Sequence, residues 1–175
     1  GEDYFLGSVI VIPVEENSGV YEVIDGQQRM TSLQMILCCI RDTWKARNNP
    51  YHNFKGHRQL RTARTQELIF NTGNNPGYRF ESNYYLSDLF RNYVQLESED
   101  PDRKNFATSR ITDPTLAVRA KKMIDAYSFF RLKIGELKDE SELQALESHL
   151  IESVQVLRIK AASVSDAYLL FETLN

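Results

Sequence analysis

The sequence predicts an α+β fold: a small β-sheet core, one strand–turn–helix junction and a large helical insertion. Three observations predict it. Two β-branched runs open the chain on either side of a polar turn, and a long amphipathic helix follows at once. After a mostly helical stretch over about residues 50–152, one more strand-like run and one more helical pattern close the sequence.

The chain has 175 residues, of which 42% are apolar and 11% aromatic, enough for one globular core, so 1–175 reads as a single domain. It starts just before a strand-like run and stops straight after a helical pattern, so it reads as a piece of a longer polypeptide. No run of about 18 apolar residues is present to span a membrane, and no basic region precedes an apolar one at the N-terminus. Cys38 and Cys39 are neighbours on an expected buried helix face, about 100° apart, and so make poor disulfide partners. A reduced, cytoplasmic protein is the expectation. The net charge of −3 gives no support for wholesale nucleic-acid binding.

Taken in order, Tyr4 to Pro13 (YFLGSVIVIP) is apolar almost throughout, as in a strand covered on both faces. Tyr21 to Asp25 (YEVID) follows a polar turn through Asn17-Ser18-Gly19, which predicts a hairpin. From Gln27 to about Arg47, the residues Leu33, Ile36, Leu37, Ile40 and Trp44 recur at helical spacing, and Asn48-Asn49-Pro50 ends the helix. A short helix is expected over Gln59 to Phe70, a short strand at Tyr78 to Phe80 and a helix from Tyr84 to Val94. Tyr84, Tyr85 and Phe90 read as core rather than as a stacking platform. Glu97 to Asp113 looks like an exposed loop. Thr115 to Leu137 carries a long seam (Leu116, Ala120, Met123, Tyr127, Phe130, Ile134) behind an Asp113-Pro114 start. Ser141 is expected to cap the next helix, with Leu143, Leu146 and Leu150 on one side. Val154 to Lys160 reads as a strand. Ser165 is expected to cap a last helix with Ala167, Leu170, Phe171 and Leu174 as its stripe.

Function concentrates at Val23-Ile24-Asp25-Gly26-Gln27-Gln28-Arg29-Met30-Thr31. A helix N-terminus leaves about four N–H groups without intrahelical partners and carries a partial positive charge. Gly26 permits a sharp turn or a close backbone approach, and Arg29 is the natural bidentate partner of a phosphate. Gln27 and Gln28 suit a phosphate oxygen or a water. Asp25 would repel a bare phosphate, so it suits a divalent cation, a ribose hydroxyl or the helix cap itself. Thr31 and Ser32 add hydroxyls, of which one at most faces the site. The plainer reading is a capped helix with Arg29 on the surface. Gly7, inside a strand and next to Ser8, marks either a close approach of a ligand or another backbone, or a simple bulge. His52, His57 and His149 lack metal-ligand spacing, and no Walker, Rossmann or nucleophile-elbow pattern occurs. Between Arg41 and Arg64, seven Lys/Arg stand against Asp42 alone. That is either a solvated face or a contact to a phosphate backbone.

Three blocks, YFLGSVIVIP, EVIDGQQRMTSL and DAYLLFETLN, resemble the N-terminal domain of GmrSD-type modification-dependent restriction proteins, a domain similar in fold to the ParB nuclease-like and sulfiredoxin group. The resemblance implies that the turn holds the phosphates of a nucleoside triphosphate, with Mg2+, through Asp25, Gly26, Gln27, Gln28, Arg29 and Thr31. Gly7 and Ser8 would form the floor of the same site, and Asn175 matches the asparagine of the family's closing block. DNA and a C-terminal nuclease module are the implied partners. Met30 stands where the family has leucine and Ser32 where it has threonine, both conservative. An upstream Gln-Arg and tryptophan block of the family and a histidine-rich nuclease pattern do not occur in this sequence. The expected function is therefore nucleotide binding and hydrolysis that gates DNA cleavage in an anti-phage restriction protein. The alternative is a non-catalytic DNA-binding or protein-interaction module using the turn and the 41–64 segment. A direct nicking role finds no metal cluster to support it.

Overall fold

β1 (Tyr4–Pro13) lies between two partners, antiparallel β2 (Tyr21–Asp25) and a parallel strand late in the chain, Val154–Lys160. The protein is described by a computed structural model over residues 3–16, 18–47, 55–82, 84–105 and 111–174. Asn17, the Asn48–Pro50 stop, His52 and Asn175 lie outside the described residues, as do the side chains of Lys55, Tyr84 and Leu174. The helices and the small sheet make the expected α+β fold. The chain divides into two compact units, one of Gly1–Thr31 with Ala145–Asn175 and one of Ser32–Gln144.

In the first unit the expected hairpin forms. Val14 N–H donates to the Val20 carbonyl at 3.0 Å, and Ser18 Oγ accepts from Val20 N–H at 3.1 Å while donating to the Glu15 carbonyl. The successive residues Val9, Ile10 and Val11 are all buried, so both faces of the mid-strand are covered as the apolar run predicts. The start of the strand differs: Tyr4 and Phe5 are exposed, 58% and 62%. Ile10 packs with Ala161 and Ala167, flanked by Ile12, Ile24, Ile159 and Leu170. Ala167 and Leu170 come from the last helix, Val164–Leu174. Its cap is Ser163 rather than Ser165: Ser163 Oγ accepts from Asp166 N–H at 3.2 Å and donates to the Asp166 carboxylate at 2.8 Å, a reciprocal capping pair.

Helix α1 (Gln27–Ala46) begins in the first unit, and most of its length belongs to the second. Cys38, Cys39, Ile40 and Trp44 are buried as expected, but so are Met35 and Arg41, while Leu33, Ile36 and Leu37 are only half-buried. Burial thus covers more of the helix circumference than one stripe. After α2 (Lys55–Ile69), the two-residue strands β3 (Phe70–Asn71) and β4 (Gly77–Tyr78) pair antiparallel, so the short strand ends at Tyr78 instead of running to Phe80.

The single helix expected from Tyr84 is a composite: a 3-10 turn at Tyr84–Leu86, α3 (Ser87–Leu89) and a π-helix at Phe90–Gln95. Phe90 is core, whereas Tyr85 is 66% exposed, so the paired-aromatic core reading fails at Tyr85. Helix α4 (Pro101–Asn105) interrupts the expected loop, started by Asp100 Oδ1 accepting from Asp102 N–H at 2.8 Å.

The seam of α5 (Pro114–Gly135) buries Ala120, Met123, Tyr127 and Ile134 behind the Asp113 cap, which accepts from Leu116 N–H at 2.8 Å. Helix α6 (Glu140–Glu152) is capped by Asp139 rather than Ser141. The bond from Glu142 N–H, aided by the Ser141 hydroxyl, holds the Asp139 carboxyl below its ordinary range. The closing strand and helix are β5 and α7.

Candidate functional site

Asp25 ends β2, Gly26 turns the chain and Gln27 starts α1. Gly26 has φ +88°, a conformation that side-chain-bearing residues rarely adopt. It is also buried against β1, where a Cβ would lie 2.9 Å from Val9 Cγ2 and 3.3 Å from the Ser8 carbonyl oxygen. Two requirements, a positive φ and a close approach to β1, therefore select glycine at this turn. The first intrahelical bond runs from Met30 N–H to the Gly26 carbonyl at 3.0 Å. The amides of Gln27, Gln28 and Arg29 thus precede the helical ladder and form its positive end.

From the first turn of α1, Arg29 folds back over β1. Nη1 donates to the Ser8 carbonyl at 2.5 Å and Nη2 to Asp25 Oδ2 at 3.2 Å. The guanidinium occupies the space that a side chain at Gly7 would fill: a Cβ there would sit 2.6 Å from Nη1. Gly7 has φ +116° at a β-bulge, where Phe5 and Gly7 pair with the successive residues Gln155 and Val156 of β5. Of the two readings of Gly7, the bulge is present, and what comes close is a side chain, the protein's own arginine, rather than a ligand or another backbone.

Around this pair lies a cleft of about 360 Å³ lined by Gly7, Ser8, Asp25 and Arg29, together with Phe5, Ile10, Leu157, Ile159 and Phe171. Its volume is in the range of small-molecule sites. The register explains the floor, because Ser8 faces Leu157 and Ile10 faces Ile159 across the parallel β1–β5 pair. The Arg29 side chain is 35% exposed and Asp25 21%, so their ion pair is accessible from the cleft. Guanidinium carries five N–H donors. With one on Ser8 and one on Asp25, it keeps donors for an incoming anion.

Of the candidate residues, Gly7, Ser8, Asp25 and Arg29 come together at one cleft, and Gly26 shapes the turn beneath them. Gln27 is exposed, with its Nε2 donating to the Val23 carbonyl at 2.7 Å. Gln28 is exposed, and Thr31 Oγ1 donates to the Gln27 carbonyl at 2.7 Å. None of these three belongs to the cleft lining. The apolar residues of the lining were not anticipated as site residues. Phe5 and Phe171 stood in the quoted blocks, but their sequence signal was that of ordinary strand and helix hydrophobes. Among the described residues no group of three His, Cys, Asp or Glu is placed to hold a metal.

The basic 41–64 segment, in the second unit, is used internally. Arg41 is fully buried, donating to the carbonyls of Gln95 and Leu96 and to Gln66 and pairing with Asp42. Lys45 pairs with Glu97 and Glu99, Arg47 donates to the carbonyls of Leu137 and Asp139, and Arg58 pairs with Glu140. Arg61 and Arg64 also have partners within the chain. For Arg41, Lys45, Arg47 and Arg58, neither a solvated face nor an open phosphate-binding strip describes the cation, whereas Arg64 is exposed.

The family model of the GmrSD restriction endonuclease N-terminal domain matches residues 1–175, the whole chain. No curated protein matches the sequence. Among the described residues no helix is long and apolar enough to cross a membrane.

Proposed function

The chain belongs to the N-terminal domain family of the GmrSD restriction endonucleases, and from that premise we propose that its cleft binds and hydrolyses a nucleoside triphosphate. Occupancy would then gate DNA cleavage by the restriction protein. The observation that carries this reading is the Arg29 guanidinium, fixed by Ser8 and Asp25 at the start of α1 and open to a cleft of small-molecule size.

The division of labour follows from the chemistry of the groups. Arg29, with the positive end of α1 behind it, holds phosphate oxygens. Asp25 holds Arg29 in place, and it is the carboxylate of the lining. One carboxylate suits a magnesium ion that arrives on its triphosphate, since Mg2+ is commonly held by one or two carboxylates plus substrate phosphates. Such an ion supplies charge neutralisation at the transferring phosphoryl group. Gln28 is exposed on the first turn and lies outside the cleft lining, so the geometry gives no support to a water-orienting role for it. Gln27 braces the turn through Val23.

The alternative, a DNA-phosphate module extended by residues 41–64, is less favoured because Arg41, Lys45 and Arg58 of that segment already pair with carboxylates of the chain. The test is calorimetric titration with magnesium nucleoside triphosphates, together with phosphate release. Arg29→Ala should weaken binding by about 1.5–3 kcal/mol, the worth of a charged hydrogen bond. Full-strength nucleotide binding by that variant would refute the assignment.

A further inference from the structure

We propose that Phe5 and Phe171 form the nucleobase end of this cleft, stacking on the ring of the nucleotide whose phosphates Arg29 holds. The proposal rests on the triphosphate reading and adds what the rest of that ligand touches.

Side chains of opposite character line the one cleft. Its polar members are Ser8, Asp25 and Arg29, and its apolar members are Phe5, Ile10, Leu157, Ile159 and Phe171. Three of the apolar set are well exposed: Phe5 at 62%, Leu157 at 53% and Phe171 at 41%. Phe171 sits four residues after Ala167, on the stripe by which α7 packs on the sheet. Ala167 is fully buried there, whereas Phe171 one turn on is partly exposed and lines the cleft. Phe5 lies before the bulge at Gly7, on the part of β1 that the core does not cover.

Exposed phenyl rings beside a guanidinium describe an amphiphilic ligand, anionic at one end and flat and apolar at the other. Inorganic phosphate or a backbone phosphate of duplex DNA would leave the rings unused. A nucleotide engages both ends, because every nucleobase has a π-face that stacks on an aromatic side chain. Stacking of this kind amounts to about tenfold in affinity per ring, towards the lower end of its usual range.

The deciding experiment is calorimetric titration of the chain with ATP, GTP, CTP, UTP and inorganic tripolyphosphate, each with magnesium. The wild type, Phe5→Ala, Phe171→Ala, Phe171→Leu and Arg29→Ala are compared, with thermal melts as fold controls. At least one nucleotide should bind ten times more tightly than tripolyphosphate. Phe5→Ala and Phe171→Ala should each lower nucleotide affinity about tenfold and leave tripolyphosphate affinity unchanged. Phe171→Leu, which keeps apolar bulk without a ring, should lose most of the same factor at an unchanged melting temperature, and Arg29→Ala should weaken both classes of ligand. Equal affinity for tripolyphosphate and every nucleotide, with Arg29 still required, overturns the stacking assignment and leaves the phosphate site standing. Failure of all five ligands to bind overturns both.

Discussion

At the scale of single residues, Gly7 and Arg29 act as one part. The glycine makes room for the guanidinium, and the guanidinium bonds to the carbonyl of the next residue, Ser8. Gly7→Ala combines a forbidden φ with a Cβ 2.6 Å from Arg29 Nη1. It should cost about 1–3 kcal/mol in urea denaturation and should also displace Arg29, weakening nucleotide binding. Stability and binding both unchanged would show that the arginine is not seated on that glycine. Arg41 plays the opposite role, a cation enclosed by carbonyls and Asp42 with no solvent exposure. Arg41→Ala leaves those acceptors buried without their donor, and a loss of about 3 kcal/mol is expected from chemical denaturation. If Arg41 instead served DNA, the variant would melt normally and bind DNA with a shallower salt dependence.

Single elements carry the site through their ends. The start of α1 supplies the turn and Arg29, while α7 supplies Phe171 from a helix anchored at Ser163. Removing that anchor in Ser163→Ala should cost about 1 kcal/mol, the usual value of a lost N-cap, or a fall of about 2–4 °C in melting temperature. Because α7 bears one side of the cleft lining, nucleotide affinity should fall with it. An unchanged melting curve would mean that packing of Ala167 and Leu170 alone sets this helix.

For the molecule as a whole, the second unit sets how stability responds to alkali. Burial pushes the thiols of Cys38 and Cys39 up to about 12, and it raises the Tyr127 hydroxyl as well. An unfolded cysteine titrates near pH 8.5, so the folded state favours the protonated thiols. The stability this contributes is complete below about pH 8.5 and is lost as pH rises towards 12. Urea midpoints should therefore hold steady from pH 7 to about pH 8.5 and fall above it. The two thiols should also resist aromatic disulfide reagents until the chain unfolds. Rapid labelling of native protein at pH 8 would contradict the enclosed position of these side chains.

The amino-acid sequence alone determined the elements and the junction. Apolar and β-branched runs set β1, β2 and β5. Helical spacing set α1 and the α5 seam, and the Asp25–Arg29 block with Gly7 marked where polar groups gather, because all of these are local properties of neighbouring residues. Tertiary structure decided what depends on residues far apart in the chain. Parallel pairing of β1 with β5 brought Leu157 and Ile159 beside Ser8 and Ile10, and α7 carried Phe171 to the same cleft. The cations of the 41–64 segment met carbonyls and carboxylates as far away as Glu140. A run of charge in a sequence does not reveal whether its partner will be solvent, ligand or the chain itself, because that choice is made by packing.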